Sequence, residues 1–149
     1  MRFKKPYRQP DFTIYNSLGD PYLRRWWLIP RNRWFNVYLH CFLASDDERA
    51  LHDHMYFNLS FILEGRYTEH TIRAGGIHRA VEYRAGQVKF RSPWTAHRIE
   101  IKPGEACWSL FITGPRMRQW GFHCPNGWRH WADFVDDRDI GKTGKGCGP

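Results

Sequence analysis

A chain of 149 residues is the usual size of one domain and can bury a substantial core. Eight Trp, seven Tyr and ten Phe within a 42% hydrophobic composition exclude a disordered chain, and no run of about 18 uncharged apolar residues marks a membrane span. The 23 Lys plus Arg against 15 Asp plus Glu give a net charge of +8, which favours anionic partners without saying which anion.

The opening MRFKKPYRQPDF lacks the apolar core of a signal peptide, so a cytoplasmic location is expected. Residues 1–35 are rich in Pro, Arg and aromatics and predict an irregular arm holding one short strand around Leu23 to Ile29. Within it LRRWWLIPRNRW, residues 23–34, interleaves four arginines with three tryptophans. That composition suits single-stranded nucleic acid through stacking and charge. With no accompanying nucleic-acid motif, arginine planes stacked on Trp faces as the arm packs on the rest are the preferred reading.

From Asn36 the punctuation changes. Short runs (NVYLHCFLA, HMYFNLSFIL, RYTEHTIR, IHRAVEYR, QVKFR, HRIEI, CWSLFIT) are separated by SDDERA, EG, AGG, AG, SPWTA and KPGEA. Turns spaced by roughly 8 to 12 residues predict an all-β sandwich or barrel. After Gly114-Pro115, MRQWGFHCPNGWRHWADFV predicts a covering strand and a short closing helix from Trp128 to Val135. The barrel with this covering segment thus runs over 36–135, and Gly-rich 136–149 is expected to be a loose, flexible tail. Cysteines 41, 107, 124 and 147 are scattered without a C-x-x-C pair, so neither a zinc ribbon nor a disulfide is expected.

The stretch HDHMYFNLSFILEG, residues 52–65, places two histidines at the mouth of an apolar run. In an extended chain His52 and His54 share a face with Tyr56, Asn58, Ser60 and Ile62. H-x-H alone is ordinary for a half-solvated strand. His97, at the head of a downstream strand alternating as His97, Ile99 and Ile101, can join the pair across a closed barrel, because adjacent strands lie only about 4.8 Å apart. Three imidazoles on one side of a divalent ion leave other positions open.

These segments resemble the two metal-binding motifs of the cupin superfamily. The first, G-x5-H-x-H-x3,4-E-x6-G, is matched by His52, His54 and Gly65, with Asn58 at the Glu position. The second, G-x5-P-x-G-x2-H-x3-N, is matched by Gly86 and His97, with Ser92, Trp94 and Ile101 departing from the pattern. The resemblance spans roughly 36–113, with IRAGGIHRA as the variable hairpin between the motifs. It implies a single jelly-roll barrel and a metal held by His52, His54 and His97. With neutral Asn58 for Glu, the centre is similar to the three-histidine iron of cupin thiol dioxygenases.

The resemblance implies a metal-dependent enzyme. An Fe(II) dioxygenase acting on a small anionic or thiol substrate is expected first, and an isomerase, lyase or hydrolase or a non-catalytic ligand-binding protein next. Zn, Mn and Ni also accept imidazole. Tyr56 and Ser60 are candidates to orient a substrate or a bound O₂, with a barrel-filling role as their alternative, and Asn58 is a candidate tuning residue near the metal. Arg66 is a candidate carboxylate clamp, with a solvated surface Arg as its alternative. His40 is read as either a partner of a metal ligand or a buried structural histidine; His70, His78, His123 and His130 are read as surface residues. The partners expected are a small-molecule substrate and a possible homodimer mate; nucleic acid is the lesser expectation, and no membrane contact is expected.

Overall fold

The computed structural model of the protein describes residues 3–16, 18–46, 50–135 and 144–148. Its strands in chain order are β1 (Phe12–Tyr15), β2 (Pro21–Trp27), β3 (Asn36–Phe42), β4 (Leu51–His52), β5 (Asn58–Glu64) and β6 (Arg66–Arg73). Then follow β7 (Ile77–Arg84), β8 (Val88–Arg91), β9 (His97–Glu100), β10 (Cys107–Thr113), β11 (Gly121–Cys124) and β12 (Gly127–His130), and a single turn of helix, α1 (Trp131–Phe134). They form two six-stranded sheets, ordered β1-β2-β3-β10-β5-β8, the larger because its strands are together longer, and β12-β11-β4-β9-β6-β7, the smaller. Every pairing is antiparallel.

Leu23, Phe42, Ile62, Tyr67, Ile99 and Cys107 pack as one buried cluster between the sheets. By strand alternation the opposite face of the larger sheet carries a second cluster: Trp26, Leu39, Cys41 and Trp108, with Phe3 packed against it. Within residues 36–113, β6, β7 and β10 fill three of the runs the sequence predicts, and β3 covers the first seven residues of a fourth. The hairpin from β5 to β6 turns on Gly65 at φ +82°, where a Cβ would lie 2.2 Å from the Ala106 carbonyl oxygen. Both the backbone conformation and the close approach require glycine.

Four expectations change. The N-terminal arm holds two strands and not one: β1 and β2 extend the larger sheet, with Leu23 facing its core and Trp26 stacked 5.3 Å from Trp108. Arginine stacking does occur there, with Arg33 over Trp34 at 4.6 Å and Arg31 over Trp27 at 5.3 Å. Second, the segment from His52 to Leu63 is not one extended strand. β4 ends at His52 in the smaller sheet and β5 starts at Asn58 in the larger, so residues 53–57 cross between sheets.

Third, the helix is shorter than Trp128 to Val135, because 127–130 extend as β12 against β11. Fourth, Cys124 and Cys147 form a disulfide, with Cα atoms 5.4 Å apart. Linear spacing hid this pair, since it is the β11–β12 hairpin and α1 that return the chain to Cys124. Residues 144–148 are therefore not loose. Gly146 N–H donates to the Phe134 carbonyl at 2.9 Å, and Arg129 Nη1 donates to the Gly146 and Gly148 carbonyls. Of the expected tail, 136–143 and 149 lie outside the described residues.

Candidate metal centre

Strand pairing places the three histidines. His52 on β4 is the direct cross-strand partner of His97 on β9 and, on its other side, of Phe122 on β11. His54 stands two residues on, where the chain leaves the smaller sheet. Its backbone N–H reaches the Pro93 carbonyl at 3.3 Å. One ligand atom from each imidazole lies within 4.8 Å of the other two. Ring centroids are 4.9 Å apart for His52 and His97, 4.9 Å for His54 and His97, and 5.3 Å for His52 and His54. Among the described residues no carboxylate joins the group.

Asp53, between the two histidines, faces away from them as alternation requires. It is 1% exposed and accepts from the Gly121 backbone N–H at 2.9 Å, His123 at 2.9 Å and Trp128 Nε1 at 2.9 Å, with Arg118 Nη1 at 2.8 Å. Burial alone would raise this carboxyl, but those donors outweigh it and hold it below the usual range. Asp53 thereby clamps the crossing segment to β11 and β12. His123, exposed as expected, serves as one jaw.

The ligating face of His97 is set from behind. Its Nδ1 lies 2.5 Å from Glu69 Oε1, and its Nε2 lies 2.8 Å from Nε2 of His54. A proton on Nδ1, shared with Glu69, leaves the Nε2 lone pair pointing into the cluster, the usual arrangement of a metal-bound histidine. The 2.8 Å between the two Nε2 atoms is close enough for both to offer a lone pair to one ion. Burial pushes His97 down to about 3, aided by the charges of Lys89 and His52 and opposed by Glu69. Burial and the neighbouring imidazoles likewise hold His54 well below its ordinary value. Both rings are neutral at pH 7, as ligation needs.

Glu69 itself is 1% exposed. Burial would raise its pKa, but it also meets Lys89 Nζ at 3.0 Å and both Nε and Nη2 of Arg91, and it stays ionised far below the usual range. Glu69 was not picked out from the sequence. The signal was there: in β6 it shares a face with buried Tyr67, and in β8 Lys89 and Arg91 alternate with exposed Val88 and Phe90. The apolar residues of β8 point outward and its cations inward.

The histidines open into a cavity of about 660 Å³ between the sheets. Tyr56, Asn58 and Ser60 line it. Tyr56 stacks on His54 with centroids 6.2 Å apart, and burial raises its phenol pKa. Asn58 is 2% exposed, and neither its amide oxygen nor its nitrogen has a hydrogen-bond partner among the described residues. Such an orphaned amide beside three converging imidazoles fits a site built to receive a further group. Arg66 does not line the cavity: it lies on another surface and pairs with Glu105 at 3.1 Å, so the carboxylate-clamp role expected of it is corrected. Arg25 and His40, by contrast, both line the cavity. Burial, then Arg25, keeps His40 neutral.

No protein-family model and no curated protein matches this chain. Solved structures do. Bacillus subtilis oxalate decarboxylase, in a structure concerned with its Mn(II) centres, aligns at 16% identity and a TM-score of 0.53, covering 77% of this chain and 30% of that one. Lactobacillus farciminis oxalate decarboxylase in its formate complex aligns at 18% identity and 0.48, covering 63% and 28%. A cupin superfamily protein from Desulfitobacterium hafniense aligns at 13% identity and 0.49, covering 62% and 77%. This chain therefore spans under a third of the oxalate decarboxylases it matches. The alignment at a TM-score of 0.53 shows the fold alone: a jelly roll of two antiparallel sheets closed by one short helix.

Proposed function

We propose that the protein is a metal-dependent cupin enzyme, and that it acts as an Fe(II) dioxygenase on an anionic substrate. The observation that carries this reading is the donor set: three imidazoles whose ligand atoms lie within 4.8 Å of one another, with no carboxylate in the group among the described residues. His52, His54 and His97 would hold the ion, and when bound it would supply Lewis acidity and, as Fe(II), the capacity to activate O₂.

The remaining work falls to the chain. Glu69 keeps the His97 proton on Nδ1, so Nε2 stays a donor. With imidazole ligands alone a bound ion would keep its full positive charge, which would attract an anion. The apolar wall around the histidines excludes water, which strengthens that attraction. Asn58 presents an unpartnered donor and acceptor to whatever occupies the open side.

Mn(II), the ion of the similarly folded oxalate decarboxylase, is the second ion to load, and a Lewis-acid lyase or isomerase is the second reading. The likeness is one of fold, so loading decides between them. Iron-loaded protein should consume O₂ with candidate carboxylates or thiols and without 2-oxoglutarate, and zinc-loaded protein should not. Turnover by the Mn- or Zn-loaded form with no O₂ uptake by the iron form would replace the dioxygenase with the Lewis-acid enzyme.

A further inference from the structure

The cavity is much larger than a metal site needs. Its volume of about 660 Å³ falls in the range of pockets that enclose drug-sized ligands, roughly 300–1,000 Å³. Its walls near the histidines are aromatic: Tyr56, Phe111, Trp120 and Phe122. An acid of two or three carbons would leave most of that surface bare. A flat apolar body would cover it and gain from stacking on those rings.

One cation in this wall is not spoken for. Lys89 is neutralised by Glu69. Arg25, half-buried on β2 and facing inward beside Leu23, has no carboxylate partner among the described residues. Its Nε donates to His40 Nε2 at 2.8 Å, and its guanidinium lies over the Tyr38 ring at 4.6 Å. These contacts fix the plane of the group and occupy Nε, while neither terminal nitrogen has a hydrogen-bond partner among the described residues, which leaves both for a two-pronged contact. A planar fork suits a carboxylate. A phosphate dianion would need a second unpaired cation, and among the lining residues Arg25 alone is unpaired.

We propose that the cavity binds an aromatic carboxylate, its acid group held end-on by the terminal nitrogens of Arg25 and its ring lying among the aromatic side chains beside the histidines. This deepens the substrate reading above and rests on the cavity being the substrate site, but it does not depend on which metal binds. It also replaces the small substrate expected from the sequence with a larger one. Arg25 is a binding residue here. His40 is a positioning residue, since it acts through Arg25.

The test uses full-length protein stripped of metal, so failure of the metal reading leaves it intact. Binding of 1-naphthoate is followed by tryptophan fluorescence and calorimetry beside two comparisons: 1-naphthalenemethanol, neutral and of similar shape, and 1-naphthyl phosphate. In the wild-type protein, naphthoate should bind tenfold or more tighter than either. Arg25→Gln should weaken naphthoate binding roughly 10- to 100-fold while leaving the alcohol unchanged, and Arg25→Lys should recover part of the loss. Unchanged alcohol binding also shows that the variant is folded. Equal wild-type affinity for acid and alcohol would overturn the proposal, even if Arg25→Gln failed to fold. Tighter binding of the phosphate, or naphthoate binding indifferent to Arg25→Gln, would overturn it as well.

Discussion

His97 lies between Glu69 and His54, its Nδ1 2.5 Å from the carboxylate and its Nε2 2.8 Å from the neighbouring imidazole. Glu69 also anchors Lys89, which is only 3% exposed, so it has two separable duties. Glu69→Gln should weaken metal binding about 10- to 100-fold and, by stranding a buried ammonium, destabilise the fold by about 3–5 kcal/mol. Adding Lys89→Met should restore much of the stability but not the metal affinity. Chemical denaturation and metal titration of both variants check this, and recovery of both properties together would show that Glu69 acts through stability alone.

Asn58 gives the opposite sign. Its amide is buried without a partner among the described residues, which costs about 1–3 kcal/mol. Asn58→Leu should therefore stabilise the metal-free protein by roughly 1–2 kcal/mol, as read by its denaturation midpoint. Asn58→Glu should retain metal more firmly than wild type by offering a charged donor. Unchanged metal retention in that variant would mean the side chain does not reach the ion.

The pH dependence of stability follows from the buried neutral histidines. Burial, then the Arg25 charge, lowers the folded-state pKa of His40 well below its ordinary 6.5. Its contribution is complete above about pH 6.5 and is lost as pH falls below that value, because the unfolded chain takes up the proton first. Each such group adds a slope of about 1.4 kcal/mol per pH unit. His40→Gln should reduce the slope of the metal-free protein by about that amount between pH 6 and 5. An identical slope would mean His40 is protonated in the folded state.

The clasp around Asp53 and the disulfide should prove structural. Asp53→Asn weakens four donor contacts and should cost roughly 3 kcal/mol. Cys124 and Cys147 close a loop with a sequence separation of 23, so the chain-entropy account gives about 3 kcal/mol for the bridge. Reductant should lower the melting temperature of the wild type to that of Cys147→Ser and leave the variant unmoved. A wild-type melting point indifferent to reductant would mean that the bridge does not contribute.

The barrel strands between 36 and 113 were legible because each is short, β-branched or aromatic, and bounded by a turn. The histidines were legible because H-x-H and a third His at motif spacing converge only in a closed barrel. Three features were hidden by long range. Glu69 meets His97 through the β6–β9 pairing, Arg25 reaches the cavity only because β2 joins β3, and Cys147 meets Cys124 only after the chain doubles back. β8 misleads outright, since its Val88 and Phe90 face solvent while Lys89 and Arg91 face Glu69. Arg66 looked well placed next to Gly65, but that turn carries it to Glu105 and away from the cavity.

Metal content tests the central claim most directly. Untagged protein, stripped with chelator and reloaded anaerobically with Fe(II) or Mn(II), should hold one ion per chain by elemental analysis after desalting. His52→Ala, His54→Ala and His97→Ala should each lose most of it while the folded spectrum is kept. Full occupancy in the His52→Ala, His97→Ala double variant, or a folded wild-type protein that binds neither ion, would contradict the three-histidine centre.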